Sequence, residues 1–446
     1  MIPFVNLIGQ RNAYKSELEQ AEQAVFDSGC YIGGPAVSQL EASLAEFCGV
    51  QNAIACGSGT EALAIALMAM GIGPGDEVIV PDFTFIAPAE CVAALGATPI
   101  FADIDPETLQ ISPRGVESLV TPATKGIIAV DLFGQCAPFS ELRKIARNRG
   151  LWIIEDAAQA FGASVEKIDD AQVPQGDLNQ LEPSDTSGAH DLFEQRRVFE
   201  QRDHFEQHLK QRYACTFGDI AITSFYPSKP LGCYGDGGAL FTDDSGLAAK
   251  IRQIANHGSS ARYLHEIVGV NSRLDAIQAA VLNVKLKHFE EELGKRRENA
   301  AKYDAFFAGI GGIKPQRIAD GNTSTYAQYT VLADDRDAFT EKLKRAEIPY
   351  CIHYPMALHR QPCFAKEANA DDGISAASGS TAPNSSASRA NKDCELNSAD
   401  KDCELNSANK DCELNSADIA SKKAVSLPVC AFTDVDAIIE KLRNAL

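Results

Sequence analysis

The chain has 446 residues, 45% of them hydrophobic and 23% charged, which suits a folded globular protein long enough for two domains with separate cores. Its formal net charge of −20 disfavours nucleic acid or an anionic membrane as partner. No apolar run approaches a membrane span, and Met1-Ile2-Pro3-Phe4-Val5-Asn6 lacks the basic and apolar regions of a signal peptide, so a cytoplasmic location is expected.

The first strand expected is 53–56. It runs into Gly57-Ser58-Gly59-Thr60, which opens a helical run over 62–70. Glycines let a backbone approach an anion, the first helical N–H groups point at it, and Ser58 and Thr60 add hydroxyls. The same residues also make an ordinary helix cap. A strand at 77–80 leads to Pro81-Asp82-Phe83-Thr84-Phe85, where the Phe85 ring either stacks on a flat cofactor or joins the core. Strands at 99–102, 126–130 and 152–154 alternate with helices at 88–95 and 140–148, the pattern of a mainly parallel sheet with crossover helices.

The strand ending at Ile154 is followed by Glu155-Asp156-Ala157-Ala158-Gln159. Functional groups collect beyond the carboxyl ends of parallel strands. There Asp156 suits a protonated pyridine nitrogen, although a lone aspartate at that point also caps helices. After Ile220-Ala221-Ile222 comes Ser224-Phe225-Tyr226-Pro227-Ser228-Lys229-Pro230-Leu231-Gly232. A lysine desolvated in such a turn has the lowered pKa that a Schiff base to an aldehyde cofactor requires. Taken alone it is a surface lysine in a turn; Asp156 and the glycine-rich helix start favour the chemical reading.

Beyond residue 250 a continuous helical region over 274–307 is expected to bridge into a smaller α/β domain with a strand at 326–332 and a final helix at 434–446. The division expected is 1–250 and 251–446. Two polar stretches interrupt it. About 166–212 carries Phe-Glu-Gln three times at six-residue spacing, and about 367–418 repeats Lys-Asp-Cys-Glu-Leu-Asn-Ser-Ala from Lys392, Lys401 and Lys410. Both read as expansions within surface loops, where added length costs little closure entropy. His204 and His208 have helical metal-ligand spacing, but in a solvated Gln-rich segment no metal site is expected. The 13 cysteines include no CxxC pair, so reduced thiols are the expectation.

These segments together resemble the DegT/DnrJ/EryC1/StrS group of sugar aminotransferases, from Pro3 almost to the C-terminus apart from the two inserts. The resemblance implies fold type I, with a large domain around a mainly parallel seven-stranded sheet and a smaller C-terminal α/β domain, and pyridoxal 5′-phosphate as cofactor. It implies Lys229 as the cofactor-bearing lysine and Asp156 as the pyridinium partner. It gives Gln159 a place against the ring, and Ser58, Gly59, Thr60 and Ser224 a place at the phosphate. Asn271 would be a phosphate ligand given to a neighbouring subunit, hence a homodimer. Lysine at 229 argues against the dehydrating branch, which has histidine there.

Pro227 to Gly238, Val268-Gly269-Val270-Asn271-Ser272-Arg273-Leu274-Asp275 and Ile352-His353-Tyr354-Pro355 are similar to the WbpE/WlbC branch. Its members aminate C3 of a UDP-linked 3-keto-2-acetamido-glucuronate with L-glutamate, in the making of surface polysaccharide. That branch implies Arg273, His353 and Tyr354 as contacts to the nucleotide-sugar. Two alternatives remain open: another keto-sugar (a C4 nucleotide-sugar or an inosose), and a non-catalytic regulatory or binding protein on the same fold.

Overall fold

The computed structural model describes residues 2–166, 211–365 and 415–446. Short runs rich in Ile, Val and Ala form β1 (Asn52–Cys56), β2 (Glu77–Pro81), β3 (Thr98–Ala102), β4 (Thr124–Val130) and β5 (Trp152–Asp156). A small pair follows, β6 (Ser164–Glu166) and β7 (Gln211–Tyr213), then β8 (Ile220–Ser224) and β9 (Gly238–Thr242). Seven of these make one sheet in the order β1-β9-β8-β5-β4-β2-β3. Only β9 runs against its neighbours; the remaining pairs are parallel.

Such strands are apolar on both faces because helices cover both. The helices of this half are α1 (Leu7–Ala13), α2 (Lys15–Ser28), α3 (Gly34–Cys48), α4 (Gly59–Ala69), α5 (Ala87–Ala94), α6 (Pro113–Leu119), α7 (Phe139–Arg149), α8 (Ser245–Ala255) and α9 (Ala276–Lys287). Ile127 and Ile153 face Leu40, Leu142 and Leu282 of α3, α7 and α9. Their chain neighbours Ile128 and Ile154 face Ile65, Val92 and Ile251 of α4, α5 and α8. Each such aliphatic side chain, fully buried, contributes about 1.5–3 kcal/mol.

A second core gathers Ala300, Tyr303 and Phe307 of α10 (Phe289–Phe307) against a three-stranded antiparallel sheet. That sheet, ordered β12-β14-β15, comprises β12 (Ile313–Pro315), β14 (Tyr329–Ala333) and β15 (Ala424–Leu427). α11 (Arg336–Arg345) and α13 (Val435–Ala445) pack on it through Phe339, Leu343, Ile438 and Leu442, while α12 (Ser416–Lys423) leads into β15. Between β12 and β14, β13 (Asn322–Thr323) pairs with β6 of the other half. A two-stranded hairpin, β10 (Ser259–Ala261) and β11 (Leu264–His265), stands apart from both sheets.

The structure differs from the expected organisation at four points. The boundary at 250/251 falls inside α8, whose Ala248, Ile251 and Ile254 belong to the large core, as do Ala279 and Leu282 of α9. The cores change partway along α10: Phe289 and Leu293 join the large one, Ala300 onward the small one. We propose drawing the division there.

The single helix expected over 274–307 is two, broken at His288. No Pro or Gly marks the break. The His288 ring stacks on Tyr14 at 4.1 Å, and its Nε2 lies 2.9 Å from Glu17, so contacts with α2 and its N-cap decide it. The strand expected from residue 326 starts at Tyr329, because Tyr326 has φ +45°, a left-handed conformation. Finally, the second insert ends earlier than residue 418, since Asn415 of the third repeat caps α12 and Ser416 begins it.

Candidate active site

The carboxyl ends of β1, β2, β4, β5 and β8 lie along one edge of the main sheet, and the candidate residues collect there. Gly238, the first residue of β9, is paired with Cys56 on one side and Ser224 on the other. A Cβ at Gly238 would stand 2.6 Å from the Ser58 carbonyl oxygen and 2.8 Å from the Gly59 nitrogen. One at Gly59 would stand 2.7 Å from the Ser224 Cβ. Glycine is thus needed at both positions for the start of α4 to lie against the end of β8.

Ser58 caps α4, its Oγ accepting from the Glu61 N–H at 3.1 Å, and Thr60 is exposed in the first turn. Ser224 Oγ accepts from the Tyr226 N–H at 3.3 Å. A helix N-terminus with three hydroxyls and close backbone approach is suited to a phosphate. Sequence reasoning missed the residue that secures it. Ser272 Oγ accepts from the Gly57 N–H at 3.1 Å and donates to Glu61 at 2.5 Å, so the Glu61 carboxylate is engaged beside the anion position.

Asp156 ends β5, nearly fully buried, with Oδ1 accepting from the Ala158 N–H at 3.0 Å. Burial raises its pKa, while that N–H and the Lys229 amine pull it back. Lys229 lies in the turn after β8, its N–H donating to the Tyr226 carbonyl at 2.8 Å. Desolvation lowers its pKa and Asp156 opposes the shift, so a neutral amine is accessible.

Gln159 is buried in the turn that follows β5. Its Oε1 accepts from the Phe133 N–H at 3.0 Å and its Nε2 donates to the Tyr354 hydroxyl at 3.2 Å. The Tyr354 ring meets Phe83 edge-on at 6.0 Å and the half-exposed Phe85 at 6.5 Å. His353 Nδ1 lies 3.0 Å from the Ser426 hydroxyl, and burial, assisted by the Lys229 charge, pushes its pKa down to about 4. At neutral pH it therefore offers hydrogen bonds and no charge.

The structure thus brings Ser58, Gly59, Thr60 and Ser224 together as one group, and Asp156, Gln159, Lys229, His353 and Tyr354 as another, with Phe85 at the rim. Asn271 and Arg273 differ. Both are exposed and alternate with buried Ser272 and Leu274, so they face outward beside the α4 start. Sequence reasoning also missed the floor beside Lys229, a small cleft lined by Val5, Asn6, Gln10, Glu292, Arg296 and Phe432. The N-terminal segment and α10 converge there, and no spacing in the sequence announces it.

Among the described residues no group of three or more His, Cys, Asp or Glu side chains is placed to hold a metal, and no helix is long and apolar enough to cross a membrane. His204, His208 and the Phe-Glu-Gln copies lie outside the described residues. Most of the cysteines among the described residues are buried.

A phosphate-sized cradle, a buried carboxylate and a desolvated lysine on one sheet edge fit an aldehyde cofactor with a phosphate tail and a basic ring nitrogen. Comparison with known proteins agrees. The family model for the DegT/DnrJ/EryC1/StrS aminotransferase family matches residues 12–382. The chain is 45% identical to the UDP-2-acetamido-2-deoxy-3-oxo-D-glucuronate aminotransferase of Pseudomonas aeruginosa over 82% of this chain and 90% of that one. A DegT DnrJ EryC1 StrS aminotransferase from Brucella abortus superposes with a TM-score of 0.76 at 32% identity, covering 100% of this chain and 99% of the other. NtdA from Bacillus subtilis with bound cofactor PMP superposes at 0.73 with 25% identity, covering 100% and 85%. The chain belongs to the DegT/DnrJ/EryC1/StrS aminotransferase family, with its type I fold and its pyridoxal-phosphate-dependent chemistry.

Proposed function

We propose that this aminotransferase moves the amino group of L-glutamate to C3 of a UDP-linked 3-keto-2-acetamido-hexuronate. The observation that carries the reading is buried Asp156 facing the half-buried, desolvated Lys229 on the sheet edge, beside the Gln159–Tyr354 contact. The 45% identical relative, whose name specifies that keto-uronate, supports the acceptor.

When bound, the cofactor supplies a carbonyl and an electron-withdrawing ring that delocalises negative charge from the substrate's reacting carbon. Asp156 holds a proton at the ring nitrogen by hydrogen bonding to it. The Nζ of Lys229, its pKa lowered by desolvation, would take the proton from Cα of the donor and, in the second half of the cycle, deliver one to C3 of the acceptor. Ser58, Gly59, Thr60 and Ser224 would hold the phosphate, and Gln159 holds the Tyr354 hydroxyl beside the site. His353, being neutral, donates or accepts at a sugar hydroxyl. The acceptor carboxylate or diphosphate then needs a cation, and Arg273 is the residue we assign to it.

Arg273 and Asn271 face out of their own subunit, so we further propose a homodimer in which each subunit completes the other's site. We place the enzyme in the cytoplasm.

The test is a two-step absorbance experiment on the cofactor-loaded protein. L-glutamate should bleach the visible band with stoichiometric release of 2-oxoglutarate, and the UDP-linked 3-keto-uronate should restore it. Lys229→Ala should release no 2-oxoglutarate above background. Bleaching without recovery would discard the acceptor, and turnover by the Lys229→Ala protein would discard the mechanism.

A further inference from the structure

Asp82 follows β2 on the sheet edge that carries the candidate site, between Pro81 and Phe83. Its carboxylate is 1% exposed and takes part in no step above. Yet it is saturated with donors from distant parts of the chain. Oδ1 accepts from the His359 N–H at 2.8 Å; Oδ2 accepts from His359 Nδ1 at 2.6 Å and from Asn415 Nδ2 at 3.1 Å. The Asp82 carbonyl also accepts from the Leu358 N–H at 2.8 Å.

The second ring nitrogen of His359 lies 3.9 Å from Asp418, which is itself gripped by the Arg360 guanidinium, with Nη2 at 2.6 Å. Asp103, beyond the end of β3, accepts from the N–H groups of Ser416 and Ala417 and fixes the start of α12. Leu358 inserts into the core against α4 and α5, and Phe364 packs on Phe101 at 5.3 Å.

The segment pinned in this way carries Tyr354 five residues upstream, and Phe83, next to Asp82, meets the Tyr354 ring. One buried carboxylate therefore ties the strand end, the Tyr354 loop and the first turn of α12 together. Burying a carboxylate is costly unless it is fully hydrogen-bonded and paired, and here both conditions are met through His359.

We propose that Asp82 and His359 are positioning residues: their ion pair holds the 353–361 segment against the sheet edge so that His353 and Tyr354 present a fixed surface to the acceptor sugar. The inference rests on the sugar-acceptor reading above. Facing His359 are Asp82, Asp418, Asn415 and Arg360, and Asp103 holds the α12 start beside them. The two carboxylates favour the imidazolium and raise its pKa; burial and Arg360 oppose this. The imidazolium side of the ion pair is therefore held to higher pH than in a free histidine and is lost as pH rises through the raised His359 pKa.

Two variants of the full-length, cofactor-loaded protein test this: Asp82→Asn, which keeps shape and removes charge, and His359→Gln, which can still donate to Asp82 without charge. In both, KM for the acceptor should rise roughly tenfold, with kcat changed by less than threefold and the glutamate half-reaction unaltered. The alkaline rise in acceptor KM expected of the wild type should disappear. Hydrogen exchange without any substrate should accelerate at least tenfold in peptides covering 351–364 and remain unchanged over β5 and β8.

Unchanged exchange over 351–364 would overturn the clamp. So would faster exchange with an unaltered acceptor KM, or an equal loss in both half-reactions. Should Asp82→Asn fail to fold, His359→Gln carries the same criteria. A wild type inert toward every keto-sugar would sink the acceptor reading, and the exchange arm would still decide the clamp.

Discussion

Ser272 shows how a single hydroxyl serves two groups at once. Removing it leaves the Gly57 N–H and the Glu61 carboxylate without their partner beside the phosphate cradle. An unmade bond at such a position costs about 1–3 kcal/mol. Ser272→Ala should therefore weaken pyridoxal phosphate binding by about tenfold, since each 1.4 kcal/mol is a factor of ten. Cofactor titration by absorbance measures this, and an unchanged affinity would remove Ser272 from the account. His353 makes a second prediction at this scale. Its pKa of about 4 in the folded chain lies below the ordinary 6.5, so between those values the unfolded chain binds a proton that the folded chain refuses. Stability from this residue is lost as pH falls through that window. Melting temperatures across pH 4–7 should fall less steeply for His353→Gln than for the wild type; equal slopes would show that His353 titrates normally. That Asp156, Lys229 and the glycines before α4 would gather on one sheet edge was legible because such residues at strand ends have few other reasons to occur together. Ser272 was not, because its partner Gly57 is 215 residues away and serine in a polar segment carries no spacing signal.

The strands and helices of the large sheet emerge close to where apolar runs and period place them, because each is buried on two faces or along one stripe and local pattern suffices. The departures arise where distant contacts decide. His288 breaks a helical pattern by meeting Tyr14 and Glu17, and the core residues of α8 and α9 place the division we propose within α10. The inserts are instructive in a different way. β6 and β7 pair in register, Glu166 opposite Gln211, so residues 167–210 are bracketed by the two ends of a closed hairpin. Glu155 secures the returning strand by accepting from the N–H groups of Cys215, Phe217 and Gly218. Replacing 167–210 with Asn-Gly, a two-residue hairpin turn, should leave the fold and the glutamate half-reaction intact. Likewise the third repeat ends in Asn415-Ser416-Ala417-Asp418, where Asn415 caps α12 and Asp418 takes Arg360. Copies at nine-residue spacing add whole units upstream without shifting that cap, so excising 392–409 should be neutral for melting temperature. Loss of folding in either excision would show that the insert contributes to the core.

At the scale of the molecule, the question is what covers the face that carries Asn271 and Arg273. Val268 and Tyr263 are 86% and 83% exposed, and Leu264 stands beside them on the β10–β11 hairpin. The Tyr31 carbonyl accepts from the Ala276 N–H and Ile32 bridges Asp275, which brings the exposed Phe26, Tyr31 and Ile32 to the same region. Contiguous apolar side chains bordered by an exposed arginine and asparagine are typical of an interface, and a net charge of −20 would otherwise keep copies apart. In the homodimer we propose, a second copy related by a twofold axis would bury this face on both chains and deliver Asn271 and Arg273 to the opposite site. Val268→Asp places a charge where the partner would desolvate it. We expect the wild type to sediment at twice 47.9 kDa and Val268→Asp to shift toward the monomer. The monomeric form should bind pyridoxal phosphate more weakly although Lys229, Asp156 and the α4 start are untouched, because each site loses Asn271 of the partner subunit. A monomer with undiminished cofactor affinity would mean that each subunit holds its own phosphate without help, and the shared-site arrangement would fall with it.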